Sequence, residues 1–239
     1  MRAYVSTGGL GDALIVLAKI LQIKDSGYWC HGTSHDVHIQ EVKNIQNLIP
    51  NLMTECITIS RKTSEQFHKD KEKFAEKNGM EYTHLNTKII EMKYPFLSYP
   101  LIKPMPIANI CIQMTAGRLD DNTRRSVGMD VVHEILALKS EPIVALIGPE
   151  EIRIPSHPRL KNITGMTPSI LDTFAIIGGS DFFIGQDGVC AYYAAFLKIP
   201  CIINYHIPTL IDHYWHPQWK HVQNLFDGQL LHSHGRKSL

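Results

Sequence analysis

Residues 181–205 read DFFIGQDGVCAYYAAFLKIPCIINY, and this stretch decides the fold class. The apolar run Asp181–Ile184 predicts a strand, Gly185–Gly188 a turn, Ala191–Leu197 a helix, and Ile199–Asn204 the next strand. The strands are continuous apolar runs rather than alternations, so both faces of their sheet are covered. Strand, turn, helix, strand in so short a span predicts a parallel sheet with right-handed crossovers. Working back from it, strands are predicted at Ile107–Met114, Ile143–Ile147 and Leu160–Ile163. Helices are predicted at Val127–Leu138 and Ser169–Ile177. The same rhythm holds nearer the start: strands at Ala3–Ser6, Tyr28–Cys30 and Glu55–Ser60, and helices at Ala13–Lys24, Val37–Leu48 and Ser64–Lys77, the last ended by Asn78-Gly79. Between the halves, Tyr94–Pro106 holds four prolines and reads as a crossing. The expectation is therefore α/β, with two parallel-sheet domains, 1–105 and 106–239, the C-terminal tail being able to pack back on the first.

Composition narrows the classes. Of 239 residues, 44% are hydrophobic and 20% charged, which suits a folded core, and the net charge of +1 does not call for nucleic acid. Five cysteines without a C-x-x-C pair fit a reducing compartment, and three of them (Cys56, Cys111, Cys201) fall in strand-like runs. No stretch reaches the length of a membrane span and the N-terminus lacks a cleavable signal, so a cytoplasmic location is expected. His31, His35 and His38 invite a metal reading, but no Cys or carboxylate partners complete a ligand set, and none is assigned.

Four loops carry candidate chemistry. Gly8-Gly9-Leu10-Gly11-Asp12 follows the first strand and opens the first helix, where free amides favour an anion; the alternative is a plain turn with Asp12 as its cap. Gly185-Gln186-Asp187-Gly188 is a strand-end loop at a helix start, so amides of Gly188 and Val189 could meet phosphate; the alternative is a β-turn. Thr115 is followed by Arg124 and Arg125, a hydroxyl and forked donors suited to a diphosphate, or else a solvated basic loop. Glu150, after Gly148-Pro149, could accept ribose hydroxyls or simply begin a turn. The last three loops share one edge of the predicted sheet.

In their order, these residues resemble a family. NITGMTPSILDTFAIIGGSDFFIGQDGVCAYYAAFLKIPCIINY over 162–205, VALIGPEE upstream, IQMTAG with RRSVGMDVVHEIL, and the opening GGLGDALIVLAKIL resemble the ADP-heptose:lipopolysaccharide heptosyltransferases, glycosyltransferase family 9. The resemblance implies the GT-B fold, two Rossmann-like domains, here with a reduced N-terminal one. It implies a nucleotide-diphosphate-sugar co-substrate held by the C-terminal domain, an acceptor held mainly by the N-terminal domain, and no other cofactor. Asp12 would be the catalytic base. Gly9, Gly11, Thr115, Arg124, Arg125, Glu150, Met166, Asp187, Gly188, Val189 and Tyr192 would bind the donor. The chain departs from the pattern at Gly188 and Val189, where the family has Ser/Thr and Gly, and at Tyr192, where it has His.

The implied activity is metal-independent, inverting transfer to the hydroxyl of a glycan or a lipid-linked sugar. One alternative acceptor is a hydroxymethylated DNA base, for a virus-encoded enzyme. The alternatives of another kind are a non-catalytic nucleotide-sugar binding module and an epimerase or hydrolase on the same scaffold.

Overall fold

The structure, a computed structural model, describes residues 1–23, 26–60, 63–116, 125–205, 211–226 and 231–233. The chain divides into two compact units, Met1–Tyr94 and Pro95–Leu239. Residues 95–105, assigned to the first domain by the sequence reading, pack within the second: Leu97 N–H donates to Phe196 O, Leu101 N–H to Tyr193 Oη and Met105 N–H to Ala175 O.

In the first unit β1 (Arg2–Thr7), β2 (Gly27–Thr33), β3 (Leu52–Thr58) and β4 (Glu81–His84) form one parallel sheet in the order β3-β2-β1-β4. Helices α1 (Leu10–Ile23), α2 (Ile39–Gln46) and α3 (Ser64–Lys77) make the crossovers. Helix α1 forms because its sequence is almost wholly apolar, and it buries seven residues, Leu14, Leu17 and Ile20 among them. Helix α3 is charged and buries only Phe67 and Ala75. It stops where expected: Gly79 takes φ +62° while Gly79 and Met80 N–H donate to the Glu76 and Ala75 carbonyls, a Schellman ending.

In the second unit β5 (Ile110–Gln113), β8 (Val144–Ile147), β9 (Leu160–Asn162), β10 (Phe182–Gln186), β11 (Cys201–Tyr205) and β12 (Val222–Phe226) form a parallel sheet ordered β12-β11-β10-β5-β8-β9. A small antiparallel sheet joins β6 (Thr115–Ala116), β7 (Arg125–Val127) and β13 (Leu231–Ser233). Helices α4 (Met129–Leu136), α5 (Ile170–Gly178), α6 (Val189–Phe196) and the short α7 (Ile211–Tyr214) complete it. Helix α5 starts at a capping box, Ser169 Oγ accepting from Leu171 N–H and Asp172 Oδ2 from Ser169 N–H. The Phe174 and Tyr193 rings stack at 4.1 Å between α5 and α6. All five cysteines are buried and unbridged, and burial raises each thiol pKa. Among the described residues no helix is long and apolar enough to cross a membrane.

Both parallel sheets have a switch point. In the first, the chain runs outward from β1 through β2 and β3, then returns to place β4 on the other side of β1. In the second, it runs outward from β5 through β8 and β9, then returns to lay β10, β11 and β12 on the other side of β5. Open α/β sheets bind ligands in the crevice where the order reverses, beyond the carboxyl ends of the strands. That crevice lies after β1 in one unit and between the loops after β5 and β10 in the other.

Candidate functional site

Beside the turn that follows β1 in the first unit lies an open cleft of about 330 Å³. Thr7, Gly8, Gly9 and Asp12 line it from the end of β1 and the start of α1. Gly32, Ser34 and His35 line it from the end of β2, and Ile59, Ser60 and Ser64 from the passage between β3 and α3. All three strands meet it at their carboxyl ends. Four hydroxyls, an imidazole and a carboxylate therefore surround a space at the lower end of the size range of small-molecule pockets.

The helix behind the turn begins at Leu10, earlier than the expected Ala13. Ala13 N–H donates to Gly9 O at 3.0 Å, so Gly9 is the cap and Asp12 the third helical residue, not the cap itself. Gly9 N–H donates to Asp12 Oδ2 at 2.8 Å, the returning half of a capping box. Gly8 has φ +140°, and a Cβ there would lie 2.3 Å from Asp12 Oδ2. The turn thus needs a glycine for its backbone and for the space the Asp12 carboxylate occupies.

Beneath the turn lies a buried polar chain that the sequence reading did not find. Trp29 Nε1–H donates to Ser6 Oγ at 3.0 Å, Ser6 Oγ lies 2.9 Å from His31 Nδ1, and His31 Nε2 lies 3.2 Å from Gly8 O. The carbonyl only accepts, so Nε2 carries the proton, Nδ1 accepts, and the Ser6 hydroxyl donates to it. Every group is satisfied with the imidazole neutral. Burial lowers the His31 pKa from 6.5 to about 4. Ser6 and His31 are register partners across β1 and β2, a pairing that only the sheet reveals.

The second unit holds the other residues. Thr115 opens β6 just past β5; its hydroxyl is buried without a partner and lies close against Gly148. Arg125 begins β7, paired in register with Ala116 and Ser233. Arg124 lies outside the described residues, as does the Arg125 side chain. The loops carrying Glu150 and Met166 are laced together: Gly165 N–H donates to Gly148 O, Ile152 N–H to Thr164 Oγ1, Thr164 Oγ1–H to Asn162 Oδ1, and Asn162 Nδ2–H to Ile152 O. Met166 is 69% exposed beside this lip.

After β10 the strand continues through Gln186, so the turn is shorter than the expected Gly185–Gly188. Asp187 is buried and its N–H donates to Asn204 O. Gly188 caps α6 with φ +146°, and no atom lies within 4 Å of where its Cβ would stand, so a ligand can approach the backbone of Gly188 and Val189. Tyr192 is buried, its ring stacked on Tyr214 at 5.4 Å. Gln186 Nε2 and Asn204 Oδ1 are buried without partners, although the two amides meet at 3.3 Å. The structure thus groups Gly9, Gly11 and Asp12 in one unit, and sets Thr115, Glu150, Met166, Asp187, Gly188 and Val189 around one sheet edge in the other. Among the described residues no group of three or more His, Cys, Asp or Glu is placed to hold a metal ion.

Neither protein-family models nor curated proteins match this chain. Among solved structures it is similar to a glycosyl transferase family 9 protein from Veillonella parvula, with TM-score 0.55 and 11% identity over 94% of this chain and 86% of that one. It is also similar to the E. coli heptosyltransferase WaaC with ADP, with TM-score 0.55 and 13% identity over 95% of this chain and 93% of that one. The same enzyme with ADP-2-deoxy-2-fluoro heptose gives TM-score 0.50 and 13% identity, over 94% and 93%. At these identities the likeness is one of fold. The chain has the α/β architecture of those GT-B glycosyltransferases, with two Rossmann-like parallel-sheet units.

Proposed function

We propose that this chain is a glycosyltransferase that moves a sugar from a nucleotide-diphosphate sugar to an acceptor hydroxyl with inversion. The carrying observation is the placement of Asp12. Its carboxylate stands on the glycine turn after β1, in a cleft lined by hydroxyls beyond the carboxyl ends of β1, β2 and β3. Support comes from the shared fold and from the ADP-containing ligands of the similar heptosyltransferase structures.

In this reading the acceptor hydroxyl enters the cleft and gives its proton to Asp12. The acceptor oxygen bonds to the anomeric carbon from one face, and the bond from that carbon to the diphosphate breaks on the other. The diphosphate leaves with the electron pair. Thr115, the amides of Gly188 and Val189, and Arg124 or Arg125 would take up its charge. Glu150 would hold the ribose, and the exposed Met166 would meet the base. A general base contributes about 10²–10⁴-fold to such a step.

The test is single-turnover transfer by wild type and Asp12→Asn, after a thermal-shift panel of nucleotide sugars has chosen the donor. Asn still accepts from Gly9 N–H, so fold and donor binding are expected to persist while transfer falls by about 10²-fold or more. Transfer at the wild-type rate would remove Asp12 from the mechanism. Donor binding without transfer by wild type to either glycan or hydroxymethylated-DNA acceptors would favour a binding module.

A further inference from the structure

We propose that His31 is a positioning residue: through the chain Trp29–Ser6–His31 it holds the Gly8 carbonyl, and with it the turn that aims the Asp12 carboxylate into the cleft. The inference deepens the transferase reading and rests on it for the rate effect.

The geometry fixes the direction of every hydrogen bond. Trp29 Nε1–H has no acceptor role, and Gly8 O has no donor role, so the chain between them runs one way. Both ends are anchored. Trp29 is fully buried in the core of the first unit, and Gly8 N–H is bonded to Gly32 O at 3.0 Å. Gly8 is therefore held on both sides: the peptide before it by β2 through the Gly8 N–H, and the peptide after it, which also carries the Gly9 N–H, by His31 through the Gly8 oxygen. Gly8 is in turn the surface against which Asp12 rests, and the adjacent Gly9 N–H holds Oδ2. A rotation of the Gly8 carbonyl would move the floor under Asp12.

His31 lies behind the wall of the cleft rather than in it, since the lining passes from Gly8 to Gly32 without it. It acts on Asp12 through the turn and not on substrate. Its neutrality matters as well. An imidazolium under the turn would place a proton on Nδ1 against the Ser6 hydroxyl, and would add a positive charge next to a carboxylate that must take up a proton. Burial favours the neutral form against the opposing pull of the Gly8 carbonyl, and a Ser6 hydroxyl that donates to Nδ1 requires that nitrogen unprotonated.

The experiment compares His31→Leu, His31→Gln and Ser6→Ala with wild type in the full chain. Gln keeps one donor and one acceptor at about the spacing of the ring nitrogens, whereas Leu leaves the Ser6 hydroxyl proton without an acceptor and the Gly8 carbonyl without its donor. Nitrogen-15 spectra of the wild-type imidazole are expected to show a neutral Nε2–H tautomer at pH 7. In single-turnover transfer His31→Leu is expected to be slower by about 10–100-fold, the size of a small misplacement of a reacting group. Donor affinity should stay unchanged, and His31→Gln should restore most of the rate. If His31→Leu does not fold, Ser6→Ala against His31→Gln carries the same comparison. A folded His31→Leu at the wild-type rate, a His31→Gln as slow as His31→Leu, or an Nδ1–H tautomer would each overturn the proposal. If wild type transfers no sugar at all, the transferase reading has failed by itself. The positioning role is then judged by the Gly9 amide and Asp12 carboxyl resonances, which should move in His31→Leu and return in His31→Gln; unmoved resonances overturn it.

Discussion

Acidification should destabilise the first unit through His31, by an amount that follows from its burial. The His31 pKa is lowered from 6.5 to about 4 because burial penalises the charged ring. The unfolded chain therefore binds the proton before the folded one does. The stabilisation is complete above pH 6.5 and is lost as the pH falls toward 4. Each unit of depression corresponds to about 1.36 kcal/mol, so the span amounts to about 3 kcal/mol, of which about 2 kcal/mol is lost by pH 5. His68 and His84 in the same unit are also shifted down by burial and push in the same direction. The useful quantity is therefore a difference. Unfolding of wild type and of His31→Gln by urea is followed between pH 7.5 and 5 in the transition that carries Trp29, recognised by its loss in Trp29→Phe. Wild type is expected to lose about 2 kcal/mol more than His31→Gln over this range, since Gln does not titrate and the other histidines are common to both. Parallel pH dependences would show that the ring is not buried as a neutral group, and would refute the hydrogen-bond directions assigned to the chain.

Two further perturbations bear on the two ends of the proposed reaction. Gly8→Ala places a Cβ 2.3 Å from Asp12 Oδ2 on a backbone with φ +140°; it should cost about 1–3 kcal/mol in stability and abolish transfer with donor binding intact, checked by urea unfolding and calorimetry. Thr115→Val replaces a buried hydroxyl that has no partner, so the free protein should be unchanged or slightly stabilised, while affinity for the nucleotide-diphosphate sugar falls by about tenfold or more. Loss of stability with unchanged affinity would move the diphosphate away from Thr115.

The parallel sheets were legible because fully covered strands read as apolar runs. Residues 144–147 and 183–185 show this, buried throughout on both faces. The strands that escaped notice lie where that signal is weakest. β4 reads Glu-Tyr-Thr-His and is half-exposed at the sheet edge, and β12 begins beyond α7 with two polar residues in five. The antiparallel strand β6 is two residues long, too short for any periodicity. The start of α1 was set too late because glycines argue against a helix, yet Gly9 serves as its cap and Gly11 sits in its first turn, where the amides need no intrahelical partner.

The candidate site divides along the same line. Residues that act through local geometry, such as the Gly8–Asp12 turn and the Gly188–Val189 helix start, show themselves by composition, since a positive φ leaves few choices but glycine. Residues that act through pairing between strands do not. His31 stood in the sequence beside His35 and His38 and invited a metal reading. What gives it a role is that Ser6, twenty-five positions earlier, is its register partner, with Trp29 two residues back on the same face of β2. Spacing along the chain carries no trace of that neighbour. The same holds for Gln186 and Asn204, paired across β10 and β11, where two buried amides meet and each leaves one polar atom unmatched. A polar residue within the last few positions of an otherwise apolar strand is thus the sequence signal to follow. On its own it marks the carboxyl edge of the sheet, and its partner becomes known only once the strand order is known.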